Sequence, residues 1–160
     1  MSRQLLSQSC ACNCGESRFA VSGMPITRLL CHCTICQSVY KQPFADVTAW
    51  WGGAITLPER HNVRFKRYRA PPALRRGTCG SCGMPVVGFL WLAPFLKLAF
   101  VPSANFPDQA ALPKPKAHIF YHRRLTDASD NLPKVSGYWP SELTVTKLVM
   151  GGMFGATSNA

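Results

Sequence analysis

The apolar residues of this chain fall in short runs, and turn-forming residues separate one run from the next. Arg18–Ser22, Ile26–Leu30, Val63–Tyr68 and His118–Tyr121 carry aromatic and branched residues at a length that predicts strands. Trp50 and Trp51 precede a Gly52-Gly53 turn, and Ala54–Leu57 then extends again. The most apolar stretch, Met84–Phe100, holds Gly88, Pro94 and Lys97 and is short beside the ~20 residues of a membrane helix. It predicts two buried strands, Val86–Trp91 and Leu96–Val101, broken at Ala93-Pro94, and no membrane span. Helix signals are scarce, because 13 prolines and 12 glycines punctuate the chain. Only Thr34–Tyr40, which contains no breaker, predicts a turn or two of helix. Pro102–Lys116 and Thr126–Trp139 read as long surface loops, and Gly151–Ala160 as a mobile tail. The expectation is therefore a mainly β domain over residues 1–150, with short strands, long loops and little helix.

Composition narrows the class. With 160 residues, 47% hydrophobic and 16% charged, the chain can bury a core as one globular unit. Its first ten residues, Met-Ser-Arg-Gln-Leu-Leu-Ser-Gln-Ser-Cys, are too polar for the apolar segment of a secretory signal. A cytoplasmic location is expected, and there eight cysteines are metal ligands or reactive thiols rather than four disulfides.

Seven of those cysteines fall in three clusters: Cys12-Asn-Cys14-Gly15, Cys31-His-Cys33-Thr-Ile-Cys36 and Cys79-Gly-Ser-Cys82-Gly83. Four thiolates saturate a zinc ion and three leave a position open, so seven suggest one closed site and one open site. Cys12, Cys14, Cys79 and Cys82 make a closed set that would staple the start of the domain to its middle. Cys31, Cys33 and Cys36 make an open set, whose free position would lower the pKa of a bound water or thiol. Spacing does not settle the partition, since Cys33 and Cys36 with Cys79 and Cys82 also form a ribbon-type set. In an extended segment His32 points away from Cys31 and Cys33, so it is expected behind the ligands or at the surface rather than on the metal. Cys10 is read as a free thiol, with a spare ligand as the alternative.

The net charge of +11 attracts anions, either nucleic acid or a small acidic metabolite. The basic residues concentrate at Arg64, Lys66, Arg67, Arg69, Arg75 and Arg76, with Phe65 and Tyr68 interleaved.

The order Cys-x-Cys-Gly, Cys-His-Cys-x-x-Cys, Arg-Gly-x-Cys-x-x-Cys-Gly resembles the glutathione-dependent formaldehyde-activating enzyme family, which includes centromere-protein-V-like proteins. Gly52-Gly53, Phe65–Tyr68, Pro115–Phe120 and Asp130–Pro133 also fall where similar family segments fall, so the likeness spans residues 10 to 139. Cys10 stands where the family usually has a glycine. The resemblance implies a zinc-stapled β-tent fold. It implies structural zinc on Cys12, Cys14, Cys79 and Cys82, and a second, partly occupied zinc on Cys31, Cys33 and Cys36, the catalytic set. It implies a carbon–sulfur lyase that interconverts glutathione plus formaldehyde and S-hydroxymethylglutathione. On that reading the six basic residues bind the carboxylates of an acidic thiol such as glutathione. The alternatives are a basic zinc module for nucleic acid and a zinc or thiol sensor without catalysis.

Overall fold

The structure, a computed structural model, describes residues 4–69 and 74–155. Among these residues, ten strands form two sheets. The smaller has the order β1 (Leu6–Ala11), β2 (Arg18–Gly23), β5 (Ile55–Thr56). The larger runs β10 (His118–Ile119), β3 (Thr27–Cys31), β4 (Ala45–Trp51), β9 (Leu96–Pro102), β8 (Pro85–Ala93), β7 (Arg75–Cys79), β6 (Val63–Arg67). All pairings are antiparallel except the short β10–β3 ladder, which is parallel. The mainly β expectation holds. The break expected at Ala93-Pro94 is the tip of the β8–β9 hairpin. Among the described residues no helix is long and apolar enough to cross a membrane.

Alternation within the large sheet gives it two different faces. Thr48, Trp50, Ala99 and Val101 point toward the small sheet, where Phe19 and Val21 of β2 meet them in the main core. Trp50 is fully buried there, stacked on Phe106 at 5.7 Å, and its Nε1–H donates to Thr48 Oγ1 at 2.8 Å. The opposite face carries Val47, Leu98 and Phe100, and its cover is a helix.

Among the described residues there are two α-helices: α1 (Thr34–Tyr40), with the expected bounds, and α2 (Tyr138–Phe154). The second corrects the sequence expectation. It takes the last residues of the supposed Thr126–Trp139 loop and residues 151–154 of the supposed tail; residues 156–160 lie outside the described residues. Thr144, Val145, Thr146, Val149 and the Gly151-Gly152 pair have poor helix propensity, which hid this element. Tertiary packing makes it helical. Val149 is buried against Ile26 and Leu98, and Gly152 lies so close to β3 that a Cβ there would sit 2.3 Å from the carbonyl oxygen of Ile26. At its start, the Phe120 N–H donates to the buried Ser141 Oγ at 2.8 Å.

Candidate metal centres and the adjoining cavity

Two tight turns bring four sulfurs together. The β1–β2 turn carries Cys12 and Cys14, closed by the Gly15 N–H donating to the Cys12 carbonyl at 3.0 Å. The β7–β8 turn carries Cys79 and Cys82, closed by the Gly83 N–H donating to the Cys79 carbonyl at 2.8 Å. Gly15 and Gly83 take φ of +80° and +72°, which a glycine adopts without strain. The four Sγ atoms lie within 4.8 Å of one another, with Cys12–Cys14 at 3.5 Å and Cys14–Cys79 at 3.8 Å. The edge of a tetrahedron of thiolates around zinc is about 3.8 Å, so the donor set fits that ion. Burial pushes Cys79 up, but hydrogen bonds from Ser17 and the backbone of Cys82 and Ser81 outweigh it and bring the thiol to about 6. A thiol so placed ionises readily and ligates as a thiolate. The ribbon-type alternative is excluded by this grouping, because Cys33 and Cys36 belong to a separate cluster. Cys10 also stands apart from it. It is 1% exposed in the main core, and burial raises its pKa to about 12, as for an inert core thiol.

The second cluster is local. Cys31 ends β3, Cys33 caps the N-terminus of α1, and Cys36 lies in its first turn, donating its N–H to Cys33 Sγ at 3.3 Å. The three Sγ atoms are within 4.8 Å of one another, and among the described residues no histidine or carboxylate joins them. Hydrogen bonds from Cys31 and Cys36 hold the Cys33 thiol at about 2, while its bond to Cys33, its bond to Cys36 and then burial drive Cys31 far up. The cluster therefore carries one negative charge readily and resists a second without a cation nearby. A divalent metal meets that demand, and three sulfurs leave it an open position. Arg76 offers a nearby cation, its Nη2 lying 3.7 Å from Cys36 Sγ.

His32, between two of these cysteines, turns away from them as expected, yet it is 2% exposed. Its Nε2 lies 2.8 Å from Nδ1 of His118, whose Nε2 lies 2.8 Å from Asp130 Oδ2. The His118 hydrogen bond holds the Asp130 carboxyl down at about 2, so Asp130 accepts from His118 and His32 Nε2–H donates to His118. Burial above all, with the charge of Arg124 adding to it, lowers His32 to about 4. Phe44 and Tyr121 pack on its ring at 5.2 Å each. This chain anchors the peptide between Cys31 and Cys33 to β10 and to the segment after it. His118 and Asp130 were quoted in the sequence motifs, but nothing local linked them to His32.

Between the large sheet and α2 lies a cavity of about 770 Å³ with Cys31, Cys33 and Cys36 in its wall. Its surface is mostly aliphatic and aromatic. Of the six basic residues singled out from the sequence, Arg69 and Arg76 line it. Arg69 ties β6 to the start of α2, through Tyr138 Oη at 3.1 Å and Glu142 at 3.5 Å. Arg64, Lys66, Arg67 and Arg75 are not in its wall. Lys66 pairs across from Arg76 but sits on the edge strand, where it lies over the Tyr68 ring. The Arg67–Arg75 pair projects from the other face of the ribbon, with Arg75 on the Phe65 ring. His122 and Arg123, which the sequence reading passed over, do line the cavity.

No curated protein matches this chain. A family model for the glutathione-dependent formaldehyde-activating enzyme matches residues 7–123, a stretch that contains both sulfur clusters and most of the sheet that frames them. With that match over most of its length, and with the two cysteine sets gathered as the family's motif order implies, the chain belongs to the glutathione-dependent formaldehyde-activating enzyme family.

Proposed function

We propose that this protein acts as a zinc-dependent carbon–sulfur lyase on thiol–aldehyde adducts, of which S-hydroxymethylglutathione is the family's example. The observation that carries this reading is the three-sulfur cluster in the wall of a cavity, with Arg76 against Cys36. Cys31, Cys33 and Cys36 would hold the reactive zinc, and Cys12, Cys14, Cys79 and Cys82 the structural one. A zinc with an open position supplies Lewis acidity and lowers the pKa of what binds there. The protein groups have separate tasks. Arg76 offsets the negative charge of the thiolate set. Arg69 and Arg123, at the same cavity, attract the carboxylates of an acidic thiol such as glutathione. The aliphatic walls exclude water, which strengthens each of these charges. The His32–His118–Asp130 chain keeps the ligand loop in place.

All eight cysteines are free, which suits a reducing compartment, and we assign the protein to the cytoplasm. A nucleic-acid module would draw on the exposed basic residues of β6 but would leave the sulfur-walled cavity without a task.

The test is the rate of adduct formation from glutathione and formaldehyde, followed by exchange NMR against the uncatalysed reaction. Zinc-loaded protein is expected to accelerate exchange, and chelator-stripped protein is expected to lose the acceleration and recover it with zinc. Exchange at the uncatalysed rate with both sulfur clusters metallated would sink the proposal.

A further inference from the structure

The cavity is far larger and far more apolar than formaldehyde needs. Formaldehyde has no carbon beyond its carbonyl. Glutathione carries carboxylates and an ammonium group, which are costly to bury among aliphatic walls. A volume of about 770 Å³ lies in the range that encloses most of an organic ligand.

The strand register shows how the space is laid out. Cys31 pairs with Ala45 at one end of the sheet, and Trp51 pairs with Leu98 toward the β8–β9 tip at the other. Ala45 to Trp51 covers about 20 Å of extended strand. The inward-facing floor between these ends is Val47, Gly88, Leu90, Leu98 and Phe100. Helix α2 runs over it, from Ser141 beside Phe120 to Gly152 against Ile26 at the start of β3, and contributes Val145, Val149 and Met153. The thiolates and Arg76 therefore stand at one end of an apolar trough. The far rim is apolar as well. Leu92, Met150 and Phe154 line the space and are each more than half exposed. The charged groups in the wall, Arg69, Arg76, Arg123 and Glu142, sit along β6–β7, after β10 and at the start of α2, and none lies on the floor.

We infer that the trough holds the chain of an aliphatic aldehyde whose carbonyl carbon reaches the three-sulfur end, while the acidic thiol lies against the arginines. This rests on the lyase reading above and names the carbonyl half of its substrate. In the forward direction the thiolate sulfur attacks the aldehyde carbon and the C–S bond forms. The C=O π pair moves to oxygen, which takes up the proton the thiol released. Cleavage reverses each step, and nothing is oxidised or reduced. Apolar burial of the chain supplies affinity and directs the carbonyl, and arginine pairing supplies selection for an acidic thiol.

The experiment uses zinc-loaded protein and straight-chain primary alcohols from butanol to decanol, which cannot form the adduct. Affinity, measured by titration calorimetry, is expected to rise about two- to fourfold per added methylene until the trough is full, the upper figure matching ~0.8 kcal/mol per buried CH₂. Val145→Trp, which fills the trough from α2, should flatten the series. Leu90→Trp fills it from the floor and serves if the first variant does not fold. Turnover of glutathione with octanal should then exceed that with formaldehyde in kcat/KM. An affinity that does not change with chain length overturns the inference and leaves the lyase reading standing on formaldehyde. Chain-length-dependent binding with no turnover of any aldehyde upholds the trough as an alkyl-chain site and removes the reaction.

Discussion

The two sulfur clusters use the same side chain in opposite structural settings. Cys12, Cys14, Cys79 and Cys82 come from two hairpin turns that belong to different sheets, so whatever they bind joins distant parts of the chain. Cys31, Cys33 and Cys36 come from one strand-to-helix connection, so their convergence is local, and the space beside them is a cavity. A ligand set that closes a long loop contributes to folding, because the unfolded chain has no such site. A set that one short segment supplies closes no long loop, which leaves it available for chemistry. On the function proposed above, the contrast makes stability the task of the first cluster and reactivity the task of the second.

The sharpest break in that comparison is Cys79→Ser. Structural zinc contributes on the order of 10 kcal/mol, against a total stability of about 5–15 kcal/mol for a domain. Loss of cooperative melting by circular dichroism is expected, and a well-folded variant with unchanged melting would undo the assignment of tasks. Cys33→Ala is the matched case. It removes a cap worth about 1 kcal/mol from a short helix, so the protein should stay folded. Metal content should fall from two equivalents to one, and turnover should fall by more than the ~10–100-fold seen when only a supporting partner of a ligand is lost.

Gly152→Ala probes the helix that bounds the reactive side. The added Cβ meets the Ile26 carbonyl, so α2 must shift, at about 1–3 kcal/mol. Thermal melts should show that loss while the four-sulfur cluster keeps its metal; retention of full stability would mean that α2 does not rest on β3. Arg76→Leu leaves the fold alone and removes the cation beside Cys36. Hydrogen bonds to charged groups are worth about 1.5–3 kcal/mol, so kcat/KM should drop roughly tenfold or more, with part of the loss restored by Arg76→Lys. Equal activity in Arg76→Leu and the wild type would show that the thiolates need no cation besides their metal.

Much of the site was legible along the chain, because the contacts that build it are short in sequence. A Cys-x-Cys or Cys-x-x-Cys turn brings its own sulfurs together, and a glycine after it permits the left-handed backbone seen at Gly15 and Gly83. The strand list was legible for a similar reason, since turn residues mark the ends of Arg18–Gly23, Val63–Arg67 and the β8–β9 hairpin. Some strands escaped. Leu6–Ala11 carries the polar run Ser7-Gln8-Ser9, which gives no strand signal. Arg75–Cys79 has almost no apolar side chain, and it is extended because β6 and β8 pair with it on both sides.

Long-range packing decided the remainder. It chose which pairs of cysteines share a centre, against a ribbon alternative that spacing allowed. It made α2 from residues whose intrinsic preference opposes a helix, by giving Val149 and Gly152 a surface to rest on. It sorted the basic run, bringing Arg69 and Arg76 to the cavity, putting Arg67 and Arg75 on the opposite face and leaving Arg64 and Lys66 on the edge strand outside its wall, because neighbours in a strand face opposite sides and an edge strand reaches no farther than its own ladder. The trough itself has no signature in any window of the chain, since its floor comes from the pleat of several strands and its cover from a helix encoded near the C-terminus. Local chemistry is written in neighbouring residues, whereas a trough between a sheet and a helix exists only once distant segments have met.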